Sequence, residues 1–174
     1  MPELQKLKEA LKRLNGANLI IENKKGEILV GRATYGKKQF ILPGGAIERG
    51  EKPVHAAVSE AEEETGIIVQ EKNTKLLGVY LQKISGVESA TGFVFLYRTK
   101  IYKGELKETD ELSELQFMSI EEIIDRYISK EFSLGYVRMI IHHCLIKENL
   151  LHFGFEKRLG DAALYQHKGS MVSI

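Results

Sequence analysis

One cysteine stands in the 174 residues, no long apolar run does, and neither sign of charge dominates, with 25 Lys and Arg against 24 Asp and Glu. Cys144, inside MIIHHCLI, has no second thiol to pair with. An internal disulfide is therefore excluded, and a reduced, cytoplasmic setting is expected. The apolar runs fall far short of the roughly 20 residues a membrane helix needs, so no membrane partner is expected. The N-terminal MPELQKLKEALKRLNG is basic but lacks the continuous apolar stretch of a signal peptide. A net charge of +1 without a basic stripe argues against a nucleic-acid partner. His55, His142, His143, His152 and His167 show no metal-ligand spacing beside acids and read as ordinary core or surface residues. There is no internal repeat and no low-complexity linker. With 43% hydrophobic residues the chain has enough material for one core, and a single domain over 1–174 is expected.

What is present is organised by period and punctuation. Leu4, Leu7, Leu11 and Leu14 recur at helical spacing and Asn15-Gly16 stops the run, which predicts an amphipathic helix over residues 1–15. Its leucine stripe either packs on the domain or forms a homodimer contact. ANLIIENKKGEILVGR reads as a hairpin turning at Asn23-Lys24-Lys25-Gly26, and QFILPGG as a short strand closed by a Pro-Gly-Gly turn. A helix is predicted from Pro53, suited to a first turn, to Gly66, a typical stop. IIVQ, KLLGVYLQK and TGFVFLYRTKIY are strand candidates, and residues 120–130 and 134–148 read as helices. No element is assigned to the extension over 149–174. The fold class expected is α+β, a mixed sheet flanked by helices in α/β/α layers.

The helix from Pro53 carries S-E-A-E-E-E-T, with four glutamates in five positions. Like charges three and four residues apart cost about 0.2–0.5 kcal/mol per pair, and the macrodipole disfavours anions near a C-terminus. On a helical wheel Val54, Val58 and Ala61 share the face that would meet the sheet. Glu60, Glu63 and Glu64 gather on a neighbouring face, beside Ala56 and Ala57, whose small size would leave room for an approaching group. Glu62 points to solvent. Three converging carboxylates make a poor helix surface but a good cradle for a hard divalent cation such as Mg²⁺, which takes oxygen ligands and shares its shell with water and phosphate. A cation there would reverse the repulsion. A solvated acidic helix end is the plainer alternative.

Gly45, five residues, Glu51, seven residues, then Ser59-Glu60-Ala61-Glu62-Glu63-Glu64-Thr65-Gly66-Ile67 resembles the Nudix box, G-x5-E-x7-R-E-U-x-E-E-x-G-U with U a bulky apolar residue. The spacing matches throughout, FILPGG resembles the strand that leads into the box, and the likeness runs over roughly residues 15–145. Two positions depart from it: Ala61 is small, and Ser59 replaces the arginine whose charge helps hold the box carboxylates. Serine cannot supply that charge, so either activity is weakened or another cation such as Arg49 or Lys52 substitutes.

The resemblance implies a Mg²⁺-dependent hydrolase, with Mn²⁺ as a possible substitute, acting on the diphosphate linkage of a nucleoside diphosphate joined to another group. It implies Glu60, Glu63, Glu64 and the Gly44 carbonyl as metal ligands, and a structural part for Glu51. The general base it implies is Glu64, Glu63 or a loop glutamate, for which Glu111 aligns best and Glu114 is the alternative. Arg32 would meet substrate phosphate or base, or else form a salt-bridged strand end; Tyr35, Lys37 and Lys38 would line a nucleotide pocket. Nucleoside triphosphates, sugar nucleotides and dinucleoside polyphosphates all fit, and a capped RNA end fits least. The ADP-ribose branch often has a proline downstream of the box, and no proline follows Pro53 here, which counts against that substrate. The pattern of the coenzyme A hydrolases is missing too. Ser59 keeps open another reading, a catalytically weak Nudix-fold nucleotide-binding or regulatory domain.

Overall fold

The computed structural model describes residues 15–85, 91–146, 154–158 and 161–165. The leucine helix expected over 1–15 lies outside these residues except for Asn15, as do His152, His167 and most of the C-terminal extension. The architecture is α+β, as expected, with mixed sheets and helices on both faces. One sheet runs in the order β4(Gly44–Ala46), β1(Gly16–Ile21), β6(Thr91–Thr99), β5(Lys75–Ser85), β8(Gly154–Arg158), β9(Asp161–Tyr165). The other is β3(Phe40–Ile41), β2(Ile28–Ala33), β7(Leu112–Met118). The helices are α1(Pro53–Thr65), α2(Ile120–Ile128) and α3(Leu134–Ile141).

β1 explains the layering. It pairs antiparallel with β4 on one side and parallel with β6 on the other, and five of its six residues are buried. Period-two alternation sends Ala17, Leu19 and Ile21 toward α1, where they join Ala56, Ala57, Val58 and Ala61 in one apolar cluster. Ile20 faces the other way, into a second cluster with Ile28, Val30, Phe40, Ile123, Phe132, Val137 and Ile140 from β2, β3, α2, the α2–α3 loop and α3. A strand buried on both faces reads as a nearly continuous apolar run, and ANLII is one but for Asn18.

Several expectations are corrected. The turn at Asn23–Gly26 is real, closed by the Gly26 N–H on the Asn23 carbonyl at 3.0 Å. Its two strands do not form a hairpin, however. They share one bridge, Glu22 to Ile28, and then part into different sheets, because each meets a better partner farther along the chain. Pro43-Gly44-Gly45 is not simply a turn: Gly44–Ala46 pairs as an edge strand with Gly16–Asn18. IIVQ makes only an isolated bridge between Ile68 and Lys103. TGFVFLYRTKIY ends its strand at Thr99, whose hydroxyl bonds the Asn73 and Ile101 carbonyls at 3.0 and 3.1 Å. The helix predicted over 134–148 is α-helical to Ile141 and continues as a π-turn over His142–Ile146.

The helix carrying the box glutamates runs as expected. Pro53 occupies its first turn, and Gly66 closes it at φ 74 with its N–H on the Glu62 carbonyl at 2.8 Å. Ala56 and Ala57, expected beside an open space, are instead buried against the sheet. Their small size lets the helix sit close to β1, and Ala61 shares that role with no exposed surface. A larger side chain has nowhere to go there. Ala61→Leu is expected to destabilise the fold by about 1–3 kcal/mol, measured by urea unfolding, although a bulky residue is what the box pattern carries; an unchanged midpoint would show that the helix can move off the sheet.

Candidate active site

The close fit of α1 brings its acidic face over the β4 edge. Glu64 is only 4% exposed, and its Oε2 accepts the Gly44 N–H at 2.8 Å. Gly44 adopts φ +137, and a Cβ there would lie 2.2 Å from the Ala17 carbonyl oxygen. At Gly45 a Cβ would lie 2.5 Å from the Glu60 Cδ. Only bare backbone lets the strand lie this close to β1 at Gly44 and to the Glu60 carboxylate at Gly45. Glu51 holds the approach loop, its carboxylate accepting the Glu48 N–H at 2.8 Å.

A cavity of about 700 Å³ opens here, lined by Glu60, Glu63 and Glu64 from α1 and by Glu111 from the loop before β7. Tyr35 and Gly44 also line it, so the cavity gathers most of the residues singled out from the sequence. Glu48 and Asp110 join the acids on its wall. Two further wall residues, Asn18 and Tyr136, were missed. Asn18 is buried and donates to the Pro43 carbonyl at 3.3 Å. An asparagine inside the apolar run ANLII was the available signal, since a buried amide needs partners. Tyr136 carried no comparable signal. Burial pushes its phenol pKa up, with Tyr35 and Glu64 adding to the rise and a hydrogen bond with Asn18 opposing it.

The electrostatics follow from burial and like charge. Burial, first, and then the neighbouring Glu60, Glu111 and Glu63 push the Glu64 carboxyl up to about 8, against the opposing Gly44 hydrogen bond. Glu60 is raised by burial, then by Glu63, Glu111, Glu51 and Glu48. These oxygen donors suit a hard divalent cation. Among the described residues no group of three or more acidic, histidine or cysteine side chains is arranged to hold a metal ion, so Glu60, Glu63 and Glu64 share the cavity without converging into a metal centre.

Other residues lie elsewhere. Arg32 is outside the cavity lining. Its Nε pairs with Glu114 at 2.8 Å, one Nη with Glu131 and the other with the Lys38 carbonyl, both at 3.0 Å, and it lies 4.2 Å over the Phe40 ring. The ion-paired strand end is the arrangement found, and it occupies the Glu114 carboxylate as well. Lys37 and Lys38 are exposed and do not line the cavity. Ser59 turns its hydroxyl back to the His55 and Ala56 carbonyls at 2.9 and 3.3 Å. Arg49 and Lys52 are exposed and make no ion pair among the described residues, so neither replaces an arginine at 59 by direct pairing.

A mixed-sheet α+β fold with a glutamate helix over an acidic cavity defines the class, and comparison gives the family. The NUDIX domain matches residues 12–136, and the chain belongs to that family. An ADP-ribose pyrophosphatase from Methanocaldococcus jannaschii is 37% identical over 86 residues, covering 48% of each chain, so the chain spans about half the length of this curated relative. Among solved structures, a mutator MutT protein from Bacillus halodurans aligns with a TM-score of 0.66 at 21% identity, over 85% of this chain and 93% of that one. A MutT NUDIX hydrolase from Burkholderia pseudomallei gives 0.61 at 21%, over 75% and 96%. At this identity the two structures speak for the fold.

The raised Glu64 pKa sets a stability slope. A carboxyl with a higher pKa folded than unfolded contributes stability that is fully present below its unfolded value and lost as pH rises through the folded one. Metal-free protein is therefore expected to lose thermal stability between about pH 5 and pH 8. Glu64→Gln should flatten that decline in melting curves taken with a chelator; an unaltered slope would place the strain in another group.

Proposed function

We propose that the chain is a divalent-metal pyrophosphohydrolase that cleaves the diphosphate linkage of a nucleoside diphosphate joined to another group. Mg²⁺ is the proposed cofactor, with Mn²⁺ able to replace it, and the substrate is a nucleoside triphosphate, sugar nucleotide or dinucleoside polyphosphate. The observation that carries this reading is the meeting of Glu60, Glu63 and Glu64 with Glu111 in one cavity beside the bare Gly44-Gly45 backbone. The same reading makes the partner a small nucleotide rather than a nucleic acid, and puts the chain in the cytoplasm, where a lone cysteine stays reduced. The leucine stripe of residues 1–15 is the proposed contact if the chain forms a homodimer.

The metal, when bound, polarises phosphoryl oxygens and lowers the pKa of a water. Glu60, Glu63, Glu64 and the Gly44 carbonyl would hold it, with Glu64 kept in place by the Gly44 N–H. Glu111 accepts the proton of the attacking water, with Glu63 and Glu64 the alternatives. The water oxygen bonds to one phosphorus as the anhydride P–O bond breaks, and two phosphate-bearing products leave. Tyr35, Asn18 and Tyr136 offer aromatic and hydrogen-bonding surface to the nucleoside part. Nothing places Arg32 or Lys37 on the substrate as well as these.

A second reading, ADP-ribose as substrate, is favoured by the 37% identical stretch shared with an ADP-ribose pyrophosphatase. The lack of proline after Pro53 stands against it.

The test is a nucleotide panel with Mg²⁺ or Mn²⁺, reading phosphate and pyrophosphate release; no turnover of any member would leave the binding or regulatory domain that Ser59 suggests. Glu111→Gln should cut turnover by about 10²–10⁴-fold while metal titration barely changes, and a parallel loss of metal affinity would make Glu111 a ligand. Millimolar Mg²⁺ should raise the melting temperature, because a ligand bound only by the folded state stabilises it. Glu63→Gln with Glu64→Gln should abolish that rise, and a persistent rise would move the metal elsewhere.

A further inference from the structure

Neither Arg32 nor Glu114 lines the cavity, yet the segment they brace carries Glu111. Along the β2–β7 pairing, Val30 sits opposite Gln116 and Arg32 opposite Ser113. β2 advances two residues there while β7 advances three, so β7 holds one extra residue, a β-bulge. Glu114 lies within it at φ 49, a left-handed conformation that a residue with a side chain rarely adopts. Such a conformation persists only where its surroundings over-determine it. Here the Arg32 Nε pairs with the half-exposed Glu114 carboxylate at 2.8 Å, an ion pair rather than an aligned hydrogen bond, and Gly31 leaves the space that the Leu115 side chain enters.

The bulge is next to the site, where bulges commonly re-aim a chain. Two residues beyond Arg32, the Thr34 N–H bonds the Glu111 carbonyl at 3.0 Å and the Thr34 hydroxyl bonds the Asp110 carbonyl at 2.5 Å. Thr109 then caps the turn, its hydroxyl accepting the Glu111 and Leu112 N–H groups at 3.3 and 3.2 Å. Arg32 also fixes the far end of the Thr34 loop through the Lys38 carbonyl. Glu111 is thereby held from both sides, by the bulge after it and by the Thr34 loop beside it.

We propose that the Arg32–Glu114 pair is a positioning device that aims Glu111 into the cavity through the β7 bulge. This rests on the reading of Glu111 as general base. Neither member touches substrate; both set the geometry of the group that does.

The test is a double-mutant cycle in the full chain with Mg²⁺. Arg32→Met is expected to lower kcat by about 10–100-fold, the scale of a small misplacement of a catalytic group, with KM little changed. In a Glu111→Gln background the same substitution should cost almost nothing further, although the melting temperature falls equally in both. A purely structural role would lower kcat by the same factor in both backgrounds, and that result overturns the proposal. Glu114→Gln, which leaves the Arg32–Glu131 pair in place, repeats the cycle should Arg32→Met fold poorly. If the native chain hydrolyses nothing, the proposed function fails and the pair is read by amide exchange instead. Exchange of the Thr34 N–H should accelerate in Glu114→Gln, and unchanged protection overturns the positioning role.

Discussion

Much of the site depends on one hydrogen bond, from the Gly44 N–H to the buried Glu64 carboxylate at 2.8 Å. It joins a helix crowded with like charge to a three-residue edge strand that otherwise pairs only along its inner side, with β1. A buried carboxylate without such a donor would be costly, and an edge strand without a partner on its outer side is a weak element. Each stabilises the other. The same contact explains why glycine stands at both 44 and 45, since side chains there would collide with β1 and with Glu60.

Around that bond the molecule is built in depth. Small residues on α1, Ala56, Ala57 and Ala61, let the helix approach β1 closely, and that approach puts Glu60 and Glu64 at the cavity. On the opposite face Phe40 and Phe132 stack with ring centroids 6.2 Å apart, and Arg32 lies across Phe40. This ties β3 to the start of α3, from which Tyr136 reaches the same cavity. Acidic and aromatic walls are therefore supported by different apolar clusters, with β1 between them.

How much of this was legible in the sequence depends on range. Local signals held: Pro53 and Gly66 bracket the helix, and the glutamate spacing set its acidic face. Ser119, which caps α2 by accepting the Glu122 N–H at 3.1 Å, is a signal of the same kind. Pairing over longer range was not legible. Asn23–Gly26 looks like a hairpin turn because the turn chemistry is the same whether or not its strands go on to pair. The alanines looked like open space because a wheel shows which residues share a face, not what covers it. For Arg32 a substrate contact and a salt-bridged strand end were both open, because Glu114 and Glu131, 82 and 99 residues further on, give no local sign that they will meet it.

The parallel pairing of β1 with β6 has a consequence for how the molecule is made. Gly16 lies opposite Val94 and Ile21 opposite Thr99, so a long stretch of chain must be looped before this ladder can close. Ordering non-local strands is slow, because the entropy of loop closure is lost before contacts return it. The cavity draws on residues from Asn15 to Met139, and its walls coincide only after that ladder and α3 are in place. Anything the cavity binds therefore needs that ladder closed, and so recognises the assembled chain rather than any one segment of it. If the ladder closes at the folding barrier or after it, such a ligand slows unfolding and leaves the speed of folding as it was.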